Sequence, residues 1–217
     1  MEWTKCPYCL SYAKQVGIDS DIEDRTMLSE LMYAHFISKM ADVCFAKGKQ
    51  PIVWEGFGKV VNEKVSKDIL VISWENYYQV TPELLEAGYQ IVNCSWSPMY
   101  IVTPLTMWKP EEIYDWSIYK WAAIHPGSPY YQKTYEAPKD APILGGQLCA
   151  WGDHIKTQYE TVAEGIGEEL HYVVERIPML AENTWNVEKL KKYDEFATVV
   201  ESLQPKLNKL LFEFYNK

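Results

Sequence analysis

Four short apolar segments of this 217-residue chain end at a tryptophan. They have the length and the β-branched content of buried strands, and each is followed directly by polar or loop-forming residues. The carboxyl ends of parallel strands lie on the face of an α/β fold where ligands bind. Indole rings beside carboxylates suit a ligand with both C–H faces and hydroxyl groups, so the pattern favours a sugar. The four residues are Trp54, Trp74, Trp96 and Trp151.

The segments that carry these tryptophans alternate with stretches of helical periodicity. Apolar residues recur at helical spacing over residues 26–47, and Gly48 closes that helix. Thr81 is expected to cap a short helix, and another helix is expected to run from Lys109 through Trp121. The predicted strands cover 51–54, 69–74, 89–95 and 143–150, a long loop covers 122–142, and the chain is helical from Gly165 onward.

Helices that alternate with buried strands indicate a parallel sheet with crossover helices. A complete (β/α)8 barrel needs eight strands and about 250 residues, whereas four strands are found here. The fold class predicted is therefore α/β, the second half of a TIM-type barrel with about four parallel strands, followed by C-terminal helices. Residues 1–217 are expected to form a single partial domain, with the half-barrel over 26–183 and a terminal helix over 187–216.

Composition and charge argue against several partners. The formal net charge is −9 and no basic patch occurs, so neither nucleic acid nor a membrane surface is expected as a partner. No apolar run is long enough for a membrane span. Five cysteines and the lack of a leader-like segment favour a reducing, cytoplasmic location. No histidine has ligand-like spacing with acids or cysteines, so no metal and no cofactor is predicted.

Several segments together resemble the carboxyl-terminal half of glycoside hydrolase family 20, the β-N-acetylhexosaminidases. Residues 145–153, Gly-Gly-Gln-Leu-Cys-Ala-Trp-Gly-Asp, are similar to that family's Gly-Gly-x-x-x-x-Trp-x-Glu segment at the last strand. Residues 93–100 look like its penultimate strand, which a tyrosine follows, and residues 180–185 are similar to its Ala-Glu-x-x-Trp helix. The resemblance runs from about residue 30 to 190, and Trp54 and Trp74 fall on the two strands before these segments.

The resemblance implies substrate-assisted retaining hydrolysis, in which the 2-acetamido oxygen of an N-acetylhexosamine attacks its own anomeric carbon. Three indoles would then surround the acetamido methyl and the underside of the sugar ring, with a fourth as a further wall. The Tyr100 hydroxyl would donate to the acetamido oxygen, and Asp153 would accept a hydrogen bond from the 4- or 6-hydroxyl. The residues implied in the aromatic walls are Trp54, Trp74, Trp151 and, as the fourth, Trp108.

The chain also departs from the family pattern. The resemblance implies an Asp-Glu pair as orienting group and general acid at the end of the fourth strand, but no Asp-Glu follows a strand in residues 1–30. Glu2 lies near the expected position, with Met1 where the Asp is needed; Val102 stands where the family often has Asp, and Asp153 replaces Glu. The isolated chain is therefore expected to be inactive, with the missing N-terminal half of the barrel and an N-acetylhexosamine-containing glycan as its partners.

Two other functions stay open. Cys6-Pro7-Tyr8-Cys9 has the spacing of a redox-active dithiol, which would make the chain a thiol-disulfide redox protein. Such a dithiol needs its first thiolate at a helix N-terminus directly after a strand, and five residues before Cys6 are too few for that strand. The other alternative is a non-catalytic sugar-binding fragment.

Overall fold

A computed structural model describes residues 2–102, 108–186, 188–189 and 191–212. Contacts divide the chain into two compact units, residues 1–91 and 92–217. The first unit contains a 3-10 helix Glu2–Thr4, α1 (Pro7–Gln15), α2 (Arg25–Ala46), β1 (Ile52–Trp54), a 3-10 helix Lys59–Lys64, β2 (Leu70–Ser73) and α3 (Thr81–Glu86). β3 (Gln90–Asn93) runs across the boundary.

The long helix α2 begins and ends where its capping residues predict. The Asp24 carboxylate accepts hydrogen bonds from the N–H groups of Thr26 at 2.9 Å and Met27 at 3.0 Å, satisfying two donors that a helix leaves unpaired. After the last turn Gly48 has a φ of +64°, a conformation that favours glycine. The inward side of α2 carries fully buried apolar residues such as Leu28 and Ala34. The predicted helix over 26–47 is confirmed.

The predicted parallel sheet is confirmed. The strands follow the order β1, β2, β3 and β7 (Ile143–Gly146) in one four-stranded sheet. β1 and β2 are parallel, with Val53 opposite Val71 and Trp54 opposite Ile72. Every one of these strands lies within a predicted one, so the α/β fold class with about four strands is correct.

The second unit continues through short helices and strands to two long helices. Its elements are α4 (Trp96–Met99), β4 (Tyr100–Ile101), α5 (Pro110–Asp115), β5 (Lys120–Ala122), β6 (Thr134–Glu136), β7, β8 (Cys149–Ala150), α6 (Ile155–Gln158), α7 (Val162–Trp185) and α8 (Tyr193–Phe212). A cluster of buried side chains joins α5, α7 and α8, namely Ile113, Tyr114, Met179 and Val200.

Three predicted boundaries are wrong. The helix from Lys109 ends at Asp115 rather than Trp121, because residues 120–122 pair as an antiparallel strand with 134–136, inside the predicted loop. The strand over 143–150 is interrupted between β7 and β8, and β8 pairs with β4 instead. Thr81 is the first residue of its helix rather than the cap, and its hydroxyl contacts Ser73 Oγ at 2.8 Å.

The single domain over 1–217, with its half-barrel over 26–183, stays a prediction. Within the predicted terminal helix over 187–216, α8 covers Tyr193–Phe212; Val187, Leu190 and 213–217 lie outside the described residues. Among the residues that the structure describes, no helix is both long and apolar enough to cross a membrane.

Candidate active site

In the first unit, two of the predicted tryptophans lie against each other. Trp54 is the last residue of β1 and Trp74 directly follows β2, the neighbouring parallel strand. Their ring centroids are 6.2 Å apart and the ring planes meet at 90°, an edge-to-face contact. Both side chains are half-buried. The strand-end pattern therefore brings this pair together and leaves part of each indole accessible.

A buried carboxylate holds the loop that carries Trp74. Glu55 follows Trp54 in the sequence and is only 3% exposed. Its carboxylate accepts hydrogen bonds from the N–H groups of Trp74 at 3.0 Å and Tyr77 at 2.7 Å, and from the Ser73 hydroxyl at 3.2 Å. Burial raises the pKa of Glu55 although these hydrogen bonds act in the opposite direction. Glu55 therefore fixes the main chain of the loop rather than facing a ligand.

The same loop closes through a buried asparagine. Asn76 has a φ of +54°, a conformation that asparagine tolerates better than most residues. Its Oδ1 accepts a hydrogen bond from the N–H of Thr81 at 2.6 Å, which joins the loop to the start of α3. The turn after β2 is thus defined by side-chain to main-chain hydrogen bonds at both of its ends.

In the second unit, Asn93 organises the segment after β3. Its Nδ2 donates to the carbonyl oxygens of Ile118 and Lys120, each at 2.8 Å, and its Oδ1 accepts from the N–H of Ser95 at 2.8 Å. The N–H of Gln147 donates to the Asn93 carbonyl oxygen at 2.8 Å. Asn93 is fully buried, and these hydrogen bonds make it the link between three segments of this unit.

Two indole rings lie near the Tyr100 ring and roughly parallel to it. Trp96 is stacked on it with centroids 4.5 Å apart, and Trp151 with centroids 6.4 Å apart and planes within 13°. β4 and β8 place Tyr100 opposite Cys149, and the N–H of Trp151 donates to the Ile101 carbonyl oxygen at 2.9 Å. Tyr100 is 3% exposed whereas Trp151 is 44% exposed. An exposed indole platform is therefore backed by a buried tyrosine.

The two glycines of the 145–153 segment allow β7 to approach α7 closely. Gly145 has a φ of +154°, and a Cβ there would lie 3.2 Å from Thr184 Cγ2. A Cβ on Gly146 would lie 2.8 Å from Leu180 Cδ1, closer than atoms of a side chain can pack. The segment over 145–153 and the segment over 180–185 are thus in contact, and a side chain at either glycine would require the facing side chain of α7 to move.

Asp153 has an acidic neighbour that the sequence analysis did not identify. Asp153 is exposed in the turn that follows Trp151 and Gly152. Burial, and secondly the charge of Asp153, raise the pKa of Glu169 on α7. Glu169 Oε2 is buried, accepts no hydrogen bond within the described part of the chain, and would lie 3.8 Å from a Cβ on Gly152. The carboxylate of Glu169 is therefore close enough to Asp153 to be affected by its charge.

Trp108 has a packing role in addition to any contact with a ligand. It packs against the cluster formed by α5, α7 and α8, and its carbonyl oxygen accepts a hydrogen bond from Arg176 Nε at 2.7 Å. It also lines a cavity of about 560 Å³ that includes Trp96 and Trp116.

Trp185, at the end of the 180–185 segment, is 84% exposed at the end of α7.

The remaining candidates contribute little to this description. The side chains of Glu2 and Met1 lie outside the described residues, so the place of Glu2 is not defined. Val102 is buried. Over the described ranges, no group of three or more His, Cys, Asp or Glu side chains has the arrangement of a metal site.

Three residues that help to position the candidate site residues of the two units were not predicted from the sequence: Glu55, Asn93 and Glu169. A polar residue at the end of a predicted buried strand is a signal for Glu55 and Asn93, because a buried polar group needs partners. Glu169 gives no such signal, since it lies inside a long amphipathic helix among other glutamates.

Comparison with known proteins assigns the chain to a family. Residues 1–188 match the family model "Glycosyl hydrolase family 20, catalytic domain", and the chain belongs to this family. The resemblance inferred from the sequence is thereby confirmed. None of the curated proteins matches the chain.

Solved structures support the same fold. Dispersin B has a TM-score of 0.53 and 17% sequence identity, over 80% of this chain and 59% of that one. The β-N-acetylhexosaminidase from Bacteroides fragilis NCTC 9343 has a TM-score of 0.58 and 22% identity, over 95% of this chain and 38% of that one. The chain thus spans less than two thirds of the length of either structure.

Proposed function

We propose that this chain carries the sugar-binding residues of a β-N-acetylhexosaminidase, a glycosidase that removes terminal N-acetylglucosamine or N-acetylgalactosamine from β-linked glycans. The observation that carries the proposal is the Tyr100–Trp151 stack, with its centroids 6.4 Å apart. This pair combines the exposed indole of Trp151 with the buried phenol of Tyr100. Membership of glycoside hydrolase family 20 and the resemblance to the β-N-acetylhexosaminidases support the substrate class.

Trp151 would present its open indole face to the underside of the pyranose ring. Contact between polarised C–H groups and the electron-rich ring face adds to the gain from burying apolar surface. Trp54 and Trp74 would contact the acetamido methyl, a small apolar group that fits the angle between edge-to-face indoles. A sugar without the acetamido group would lose this contact and bind more weakly.

Tyr100 would use its hydroxyl group rather than its ring. Its ring is stacked on Trp96, lies near Trp151 and is buried, so the hydroxyl group is the part of Tyr100 that we propose to reach a ligand. In substrate-assisted retaining catalysis, a hydroxyl that donates to the acetamido oxygen holds this nucleophile in line with the anomeric carbon. Asp153 would accept from the 4- or 6-hydroxyl, next to the carboxyl group of Glu169.

Hydrolysis also needs a general acid, and we propose that this chain does not supply it. No Asp-Glu pair follows a strand in residues 1–30. The 217-residue chain is therefore expected to show little or no turnover of an aryl N-acetyl-β-glucosaminide. Robust turnover that Glu2→Gln abolishes would contradict this part and assign the acid to Glu2.

Equilibrium binding tests the sugar-binding role separately from hydrolysis. Titration calorimetry with N-acetylglucosamine and with glucose compares ligands that differ at the 2-position. The proposal expects N-acetylglucosamine to bind more tightly, and Trp151→Ala to abolish that binding while Trp185→Ala, at an exposed position on α7, leaves it unchanged. Equal affinity for both sugars, or equal loss in both variants, would refute it. Binding without hydrolysis in any longer form of the protein would favour a non-catalytic sugar-binding role.

A further inference from the structure

Cys6 and Cys9 lie together at the N-terminus of α1 and are not among the residues proposed to bind sugar. Cys6 is the N-cap residue with extended backbone dihedrals, and Cys9 lies in the first turn of this nine-residue helix. A 3-10 helix over Glu2–Thr4 precedes them in place of a strand. The strand expected before such a dithiol is thus replaced by a 3-10 helix, but the helix N-terminus that stabilises a first thiolate is present.

The surroundings of the two thiols are unequal. The N–H of Cys9, the thiol of Cys9 and the N–H of Tyr8 lower the pKa of Cys6. The pKa of Cys9 is raised, chiefly because its thiol donates to Cys6. A thiolate on Cys6 is thus stabilised by a neighbouring thiol and by the unpaired N–H groups at the start of the helix.

Both cysteine residues are partly exposed to solvent. Cys6 and Cys9 are partly exposed, and Tyr8 between them is 87% exposed. Cys9 also lines an open, largely apolar cavity of about 390 Å³ with Trp3, Tyr12 and Phe36. A small disulfide can therefore approach the pair without any opening of the fold.

We propose that Cys6 and Cys9 form a redox-active dithiol that reduces low-molecular-weight disulfides by thiol–disulfide exchange. Cys6 is the attacking thiol and Cys9 is the resolving thiol. This activity is independent of the proposed sugar binding, since it uses other residues and another class of substrate.

The exchange takes place in two steps. The Cys6 thiolate attacks one sulfur of a disulfide RS–SR, a mixed Cys6–S–SR disulfide forms, and RS⁻ leaves and takes a proton from solvent. Cys9 then loses its proton to solvent and attacks the Cys6 sulfur, which forms the Cys6–Cys9 disulfide and releases the second RS⁻ to be protonated. The protein dithiol loses two electrons and the small disulfide gains them as two thiols.

The other cysteines provide internal controls. Cys44 is partly exposed on α2, and its neighbours four residues away are Met40 and Gly48, so no second cysteine is in the next turn. Cys94 and Cys149 have sulfur atoms 3.3 Å apart but are 0% and 8% exposed. Reagents in solution should therefore distinguish an accessible pair, an accessible single thiol and a buried pair.

Oxidation followed by peptide mapping tests the proposal. The reduced chain is treated with oxidised glutathione, quenched in acid, and alkylated before digestion. We expect the segment with Cys6 and Cys9 to be lighter by two hydrogens and to resist alkylation, with two glutathione thiols released. Cys9→Ser should instead accumulate glutathione on Cys6, and Cys44→Ser should behave like the parent chain. A stable mixed disulfide in the parent chain, or no reaction at this pair, would overturn the proposal.

A second measurement needs no variant and therefore does not depend on one folding. Iodoacetamide at limiting concentration and pH 7 should alkylate Cys6 about tenfold faster than Cys9 or Cys44. In a denaturant this preference should disappear, because the helix N-terminus is lost. Equal labelling of Cys6 and Cys9 in the folded chain would contradict the assignment of Cys6 as the attacking thiol.

Discussion

The carboxylate of Glu55 accepts a hydrogen bond from the main-chain N–H of Trp74 at 3.0 Å. Glu55 directly follows Trp54, the last residue of β1, and Trp74 directly follows β2. Strand pairing alone would bring the two strand ends together, but it would leave the loop after β2 free to move. The buried carboxylate fixes that loop and so fixes the edge-to-face contact between Trp54 and Trp74.

Replacing Glu55 with Gln tests this role. The carboxylate accepts hydrogen bonds from the N–H groups of Trp74 and Tyr77 and from the Ser73 hydroxyl, and an amide must point its NH₂ group at one of these N–H donors. We expect Glu55→Gln to lower the free energy of unfolding by about 1–3 kcal/mol, measured in urea. Glu23→Gln, at an exposed position, is the matched control and should have no measurable effect.

The difference in stability between the parent chain and Glu55→Gln should change with pH in one direction. Burial raises the pKa of Glu55 above its ordinary value of 4.5, so the folded chain binds this proton more tightly than the unfolded chain. The contribution to stability is complete below that ordinary value and is lost as the pH rises through the raised pKa. The free energy of unfolding of the parent chain minus that of Glu55→Gln should therefore fall as the pH rises from 4.5. Urea unfolding of both proteins over a range of pH measures this difference. A difference that grows with pH would contradict the raised pKa of Glu55.

The contact between β7 and α7 predicts opposite effects for two glycine substitutions. A Cβ on Gly146 would lie 2.8 Å from Leu180 Cδ1, whereas a Cβ on Gly167 has no atom within 4 Å. Gly146→Ala should destabilise the chain by about 1–3 kcal/mol through overpacking. Gly167→Ala, inside α7, should stabilise it by about 0.5–1 kcal/mol through higher helix propensity. Thermal unfolding of both variants checks this, and a stabilising Gly146→Ala would disprove the contact.

The charge of Asp153 should affect the titration of Glu169. The pKa of Glu169 is raised by burial and secondly by the charge of Asp153. Removing that charge in Asp153→Asn should lower the pKa of Glu169 without bringing it to the ordinary value, because burial remains. Carboxyl ¹³C NMR titration measures this directly, with Asp140→Asn, at an exposed position, as control. No change in Glu169 would show that the two groups are not neighbours.

The sequence predicts a large part of this fold because its elements are local. The helix over 26–47 follows from apolar spacing and a closing glycine, and the four strands follow from short β-branched runs. The helix over Lys109–Trp121 was too long because Lys120–Ala122 pairs with Thr134–Glu136, a contact that periodicity does not encode. The break between β7 and β8 similarly depends on Tyr100 and Ile101, about 50 residues earlier.

The candidate site also contains residues that the sequence predicts and residues that it does not. Strand-end position was enough to predict that Trp54 and Trp74 meet, and the family resemblance pointed to Tyr100 and Trp151. Glu55 cannot be assigned a role from the sequence because its partners include main-chain N–H groups of another loop.

The most direct test of sugar binding follows individual indole N–H signals by ¹H–¹⁵N NMR while N-acetylglucosamine is added. Trp54, Trp74 and Trp151 should shift with one saturable dissociation constant, and glucose should shift Trp54 and Trp74 far less because it has no acetamido methyl. Trp3 and Trp185, which are also exposed, should not move. Shifts confined to Trp3 and Trp185, or no shift at Trp151, would contradict the account.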